Sequence, residues 1–354
     1  MPGRSRAVDI AATTGGRDTL LSVPELSRCA ASSGTERRVA MRLQAGRRVL
    51  WRGPGELQFG SDPRTAVRLT GLSAAEESVL SRLGDGATTA ELRTRVRAAG
   101  VERARLEQLV ADLDASGALV GRTSPPDPRA AAVVAVLGLG RTGLALARDL
   151  TAARIGTVLL RDEGPVARDD VGRGGYHPRD IGQARTAAAA RACHDTDVRV
   201  RTAAPAETQP DVVVLVEQDV ADPVGARSLM AADVDHLSVV VREKDVVVGP
   251  LVRPGASACL RCLDLHRCDL DDRWPIVATQ LSVGPRSGPR AEDPLLAALA
   301  GATAAAQVVA LIEGAPVLTV GATLELRLPD GAARRREWPV HPQCGCTGLP
   351  EPPA

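Results

Sequence analysis

An apolar run, Val133-Val134-Ala135-Val136-Leu137, leads directly into Gly138-Leu139-Gly140-Arg141-Thr142-Gly143. Few folds accept a buried strand that enters a G-x-G-x-x-G turn and leaves it as a helix. Gly138 permits the tight turn, Gly140 lets a phosphate approach the backbone, and Gly143 lets helix and strand pack closely. A phosphate there meets the positive end of the helix. The next strand ends at Asp162, where a carboxylate can accept hydrogen bonds from ribose hydroxyls. The pattern points to a nucleotide and does not separate NAD from ATP. Its bland alternative is a sheet that keeps the loop without the ligand.

From this loop onward, strands and helices alternate. Strands are expected at 132–137, 157–160, 198–201, 212–216, 236–241 and 245–248, and helices at 143–153, 181–192 and 224–232. Apolar strands separated by helices imply a largely parallel sheet covered on both faces. An Ala-rich helix at 297–313 is apolar over most of its surface, so it is expected to be buried or at a subunit interface. The stretch 347–354 reads as a tail.

The part before the loop has a different texture. Residues 1–38, rich in Ser, Thr, Gly and Arg, read as irregular. Between 40 and 122, strands are expected at 48–51, 56–59 and 66–69. Ser73, with Glu76 three residues later, signals a capped helix over 74–83. Thr89 is expected to cap a second helix to about 98. A third helix spans 102–116, with Leu106, Leu109, Val110 and Leu113 on one face, and a short strand follows at 118–120. This order suggests a winged-helix-like α+β module. Acidic and basic residues balance over 73–122, which argues against DNA; a docking or dimerisation role, or peptide binding by strand addition, fits better. The prolines of GRTSPPDPRA at 121–130 mark a linker.

Composition narrows the partners. With 354 residues the chain has room for two domains, and 44 Lys+Arg against 43 Asp+Glu gives a net charge of +1. That charge offers no field to hold nucleic acid or an anionic membrane. Aromatic platforms for base stacking are nearly absent, and Lys244 is the sole lysine. No signal-peptide pattern and no run of about 18 apolar residues is apparent, so a cytoplasmic protein is expected.

Of seven cysteines, four form two tight pairs, Cys259-Leu260-Arg261-Cys262 and Cys344-Gly345-Cys346. In a reducing compartment such pairs point to metal before disulfide, here a structural zinc that staples the C-terminal part to the core. The tight C-x-C leaves room for His341 to replace one sulfur. Cys268 reads as an unused thiol, and Cys29 and Cys193 as inert. No G-x-S-x-G or H-E-x-x-H occurs. His266 has Asp264 two residues back, on the wrong helix face to orient it. Arg334-Arg335-Arg336 reads as a solvated turn, and Gly172–Gly175 as a loop near the nucleotide.

The glycine loop, the acidic second strand and the late cysteine pairs together resemble the E1-like family typified by the bacterial adenylyltransferases ThiF and MoeB, over about 130–346. Asp162-Glu163-Gly164 stands where the family shows D-x-D, and Asp170-Val171-Gly172-Arg173-Gly174 where it shows N-L-x-R-Q. Gly182-Gln183-Ala184-Arg185 replaces G-x-x-K, and Glu217-Gln218-Asp219 falls at T-D-N. Residues 258–263 match P-C-x-x-C-L. The resemblance implies ATP and Mg2+, adenylation of a peptide or small-protein carboxylate, and a homodimer. Arg173 and Arg185 would then neutralise phosphate charge, and Asp219 would hold the metal ion.

A second resemblance comes from the small N-terminal module together with Gly249-Pro250-Leu251, Cys259 to Arg267, and Trp274-Pro275. These are similar to the leader-peptide-binding and cyclodehydratase-type ThiF relatives of azole-peptide biosynthesis. That likeness implies a scaffold that captures a precursor's leader peptide for a separate modifying enzyme. An NAD-dependent oxidoreductase is the weaker alternative, since no acid–base pair stands out. The expected architecture is α/β: a Rossmann-like ThiF-type domain over 131–346 with a zinc clip, preceded by the winged-helix-like domain.

Overall fold

The computed structural model describes residues 40–121, 127–197, 199–283 and 292–348. The chain divides into two compact units, Met1–Pro125 and Pro126–Ala354. The irregular stretch 1–38, most of the linker and the end of the tail lie outside the described residues.

The first unit contains β1 (Met41–Leu43), β2 (Val49–Gly53), β3 (Glu56–Phe59), β4 (Val67–Leu69), α1 (Ala74–Ser81), α2 (Thr89–Ala99), α3 (Arg103–Ala115) and β5 (Leu119–Gly121). Strands β2, β3 and β4 form an antiparallel sheet in that order, and β1 pairs with β5. Alternation along β3 turns Leu57 and Phe59 inward, where they meet Leu80, Leu92, Leu106 and Leu109 from the helices. Ser73 and Glu76 form the expected capping box at α1. At α2 the cap is Thr88 rather than Thr89. Glu91 lies three residues beyond Thr88 and accepts its backbone N–H at 2.7 Å, which decides between two adjacent threonines. Thr89 is instead fully buried, and its hydroxyl accepts the Met41 N–H at 3.0 Å, tying down the unforeseen β1.

The second unit runs α4 (Pro128–Ala131), β6 (Val133–Leu137), α5 (Arg141–Ala152), β7 (Thr157–Arg161), α6 (Arg185–Thr196), β8 (Val212–Gln218), α7 (Pro223–Ala231), β9 (Asp235–Val241), β10 (Asp245–Val252), α8 (Leu260–Leu270), α9 (Trp274–Val283), α10 (Pro294–Ile312), β11 (Ala322–Arg327) and β12 (Ala333–Glu337). Its seven-stranded sheet has the order β12-β11-β10-β9-β8-β6-β7. Neighbours among β7, β6, β8 and β9 are parallel, joined by helical crossovers. The link between β9 and β10 is too short for a crossover, so the chain reverses there. Arg242 locks that turn with two bonds to Asp245, at 2.7 and 2.8 Å.

Three elements depart from the sequence-based expectation. Strand 198–201 reduces to a single bridge between Thr157 and Arg201, with Val198 outside the described residues. Helix α6 starts at Arg185, after a 3-10 turn at Pro178–Asp180, not at 181. Arg334, Arg335 and Arg336 form an exposed edge strand rather than a turn.

Helix α10 corrects a further expectation. Its 19 residues, with a mean hydropathy of 2.1, are long and apolar enough to cross a membrane by length and composition alone. It packs on α5 and the sheet through Leu296, Ala300, Ala304 and Val308, which join the main core. At Gly301 a Cβ would come within 2.8 Å of the Leu146 backbone nitrogen, so only glycine allows this helix contact.

Candidate functional site

The glycine loop leaves β6 at Gly138, whose φ of +93° lies in the left-handed region. A Cβ at Gly138 would overlap the Val216 carbonyl, and one at Gly143 would overlap that of Gly138. Both positions therefore require glycine. Asp162, at the end of β7, holds the loop: its carboxylate accepts the Leu139 N–H at 2.6 Å and the Gly164 N–H at 2.7 Å. Tyr176 donates to the Leu139 carbonyl at 2.8 Å.

Arg141, the loop residue to which the sequence assigned no task, is buried. Its guanidinium donates to the carbonyls of Asp169 at 2.9 Å, Arg173 at 3.4 Å and Val171, and so folds the glycine-rich segment onto α5.

Beside the loop opens a cleft of about 910 Å³, bounded by the ends of β7 and β8 and by α9. Among the described residues, eight of those lining it are acidic and one, Arg185, is basic. Arg185 itself is engaged, with Asp170 at 2.7 Å and Asp162 at 3.5 Å. Glu217 ends β8 region chemistry with an unusual carboxyl: one oxygen accepts the Asp222 N–H at 2.8 Å, and the other is buried without a partner among the described residues. Burial pushes its pKa up to about 7. Glu292 places its carboxylate on the first turn of α5, accepting the Thr142 N–H at 2.7 Å and the Thr142 hydroxyl at 2.6 Å.

Of the residues expected at the nucleotide, Gly138, Gly140, Asp162 and Arg185 line this cleft, and Gly143 packs beneath the loop. Arg173 is exposed and does not line it. Asp219 sits just past β8 with φ +69°, its N–H bonded to the Val241 carbonyl at 2.8 Å, and is also not among the lining residues. From the same segment Glu217, Gln218 and Asp222 are. Glu292 was missed because it belongs to no spaced motif, and Glu217 was named only as the first position of the T-D-N match and given no role.

The four paired cysteines converge. Sulfur–sulfur distances are 3.9 Å for Cys259–Cys262, 3.5 Å for Cys259–Cys344 and 3.4 Å for Cys262–Cys346. Four thiolates around a tetrahedral ion, with bonds of about 2.3 Å, stand about 3.8 Å apart, so the donor set fits such an ion. Cys259 stands at the N-cap position of α8. His341 replaces none of the sulfurs. Its Nε2 pairs with Asp269 at 3.0 Å and its Nδ1 accepts the Gln343 N–H at 3.1 Å. His266 lies against His341, ring centroids 4.7 Å apart, with its Nε2 on the Pro339 carbonyl at 3.0 Å. Asp264 turns away from His266 to Arg267 and Trp274, each at 3.2 Å.

A crossover sheet with a glycine loop, an acidic second strand and a four-cysteine cluster defines an α/β protein of Rossmann-like type. The chain belongs to the ThiF family, whose model matches residues 129–347. No curated protein matches it. Among solved structures it is similar to Escherichia coli MccB with succinimide, at 14% identity and a TM-score of 0.63, covering 87% of this chain and 100% of that one. The microcin C7 biosynthetic enzyme MccB in complex with N-formylated MccA matches at 13% identity, with the same TM-score and coverage. PaaA matches at 16% identity and a TM-score of 0.62, covering 83% of this chain and 99% of that one. At these identities the likeness is one of fold. It covers more of the chain than the second unit alone supplies, and so reaches into the first.

Proposed function

We propose that this chain is a ThiF-type scaffold that captures a precursor's leader peptide and presents it to a separate modifying enzyme. The observation that carries the proposal is the charge of the cleft among the described residues, where eight acidic side chains stand against one arginine that is already paired. A nucleoside triphosphate brings about four negative charges. Two like charges about 6 Å apart repel by about 3 kcal/mol at an effective dielectric of 20. Adenylation needs the opposite arrangement, cations around the phosphates and a metal ligand facing them.

Support for peptide capture comes from the first unit and its relatives. Strand β4 pairs only with β3 among the described residues, leaving an edge to which an extended peptide can add as a strand. MccB has been solved in complex with N-formylated MccA. On this proposal the first unit is a winged-helix-like, leader-recognising domain. Cys259, Cys262, Cys344 and Cys346 hold one structural Zn2+ in a closed site, and the scaffold works as a cytoplasmic homodimer with no role for nucleic acid or membrane.

A second reading, ATP-dependent adenylation of a peptide or small-protein carboxylate, is favoured by the family and by the intact geometry of Gly138, Gly140, Gly143 and Asp162. MccB has also been solved with ATP. In that case Arg185 would meet the phosphates, and Mg2+ would fall to carboxylates at the end of β8. Calorimetric titration of the zinc-loaded protein with Mg-ATP, with NAD+ as control, separates the readings. Silence with both supports the scaffold. Micromolar ATP binding together with ATP–pyrophosphate exchange would overturn it, and NAD+ binding alone would point to an oxidoreductase.

A further inference from the structure

Helix α5 begins at Gly140, which has no side chain to accept the orphan N–H groups of the first turn. In a glycine-loop fold this is where a phosphate is received, because the backbone donors and the helix dipole converge there. Here the acceptor comes from far away in sequence. Glu292, separated from Thr142 by 150 positions, accepts both its N–H at 2.7 Å and its hydroxyl at 2.6 Å. Its carboxylate lies so close over Gly140 that a Cβ there would overlap it. The approach that glycine opens for a ligand oxygen is filled by an oxygen of the protein.

The backbone that follows Glu292 is anchored. Asp293 caps α10, accepting the N–H groups of Leu295 at 2.8 Å and Leu296 at 3.1 Å. That fixes the backbone next to Glu292. The body of α10 is pressed onto α5 at Gly301, within 2.8 Å of where a Cβ would strike Ala145 and Leu146. The helix that follows Glu292 is thus registered on the helix whose N-terminus its side chain fills.

We infer that Glu292 is the specificity-determining residue of this cleft, an internal anion that occupies the phosphate seat of α5 and excludes phosphoryl ligands from it. The inference rests on the assignment of this cleft as the nucleotide position of a ThiF fold. A phosphate that enters must displace two charge-assisted hydrogen bonds and share the seat's surroundings with a carboxylate. Removing the side chain would leave the Thr142 donors and the α5 dipole free to meet a phosphate.

The probe is inorganic pyrophosphate, titrated calorimetrically at constant ionic strength into the full-length zinc-loaded protein and into three variants. Glu292→Ala is expected to bind at least tenfold more tightly than the unmodified chain. Glu292→Gln, which keeps the shape and an acceptor oxygen, should fall between them and guards against a folding defect in the alanine variant. Glu163→Gln removes one negative charge from the same cleft without touching Thr142, and is expected to strengthen binding by clearly less than Glu292→Ala does. Equal binding by the Glu292→Ala variant and the unmodified chain overturns the inference. So does a gain in Glu163→Gln as large as that in Glu292→Ala, since bulk charge and not seat occupancy would then be responsible. ATP–pyrophosphate exchange by the unmodified chain would overturn this inference together with the scaffold proposal, since phosphoryl ligands would then enter the seat; equal pyrophosphate binding without exchange would overturn this inference alone.

Discussion

Glu217 has one carboxylate oxygen on the Asp222 amide and the other buried without a partner among the described residues. Burial lifts its pKa from 4.5 to about 7, with the nearby Asp222 charge adding to the rise. Because the folded value exceeds the unfolded one, the native state holds this proton more tightly. Below about pH 4.5 the group is neutral in both states. As pH rises from there through about 7, the folded state loses stability. At about 1.4 kcal/mol per unit the loss is of order 3 kcal/mol. Glu217→Gln is therefore expected to raise stability by about 2–3 kcal/mol at pH 8 and to change it little at pH 4.5. Urea denaturation at the two pH values checks this; equal shifts at both would remove burial of the charge as the cause. Single residues were legible where a local pattern named them, as with Gly138, Asp162 and the cysteines. Arg141 and Glu292 were not, because their partners depend on distant segments folding onto α5.

Elements formed where local signals agreed. The capping box at α1 and the apolar face of α3 are visible in the sequence, and both appear. Helix α10 shows what local pattern leaves open. Its composition fits a membrane span, a subunit interface or a core helix equally well. Only its seating on α5, with Gly301 against Ala145 and Leu146, makes it part of the core. Gly301→Ala is expected to cost about 1–3 kcal/mol, since the added methyl meets backbone that cannot swing aside. A urea midpoint unchanged from that of the unmodified chain would show that the two helices are less closely fitted than described. Strands β11 and β12 went unrecognised for a related reason. They pair along one edge of the sheet, so polar residues tolerate the exposed side and the apolar alternation is weak.

For the molecule as a whole, the cysteine cluster joins α8 to the last described stretch of the chain, and a bound ion there would contribute directly to folding. Elemental analysis is expected to find one zinc per chain. Cys262→Ser should release it and lower the melting temperature by about 10 °C, if a few kcal/mol are lost at about 2–4 °C per kcal/mol. A metal-free protein that melts at the same temperature as the zinc-loaded protein would sink the zinc assignment. By itself the sequence determined the glycine loop, the order of the crossover strands and which four cysteines belong together. Those depend on φ angles, apolar periodicity and chelate spacing, all of which are local. The sign of the cleft's charge, the loss of Arg173 and Asp219 from its lining, and the carboxylate on α5 were decided only in three dimensions. Each depends on where side chains remote in sequence come to rest, and close packing of the helices and sheet sets that position to within an ångström.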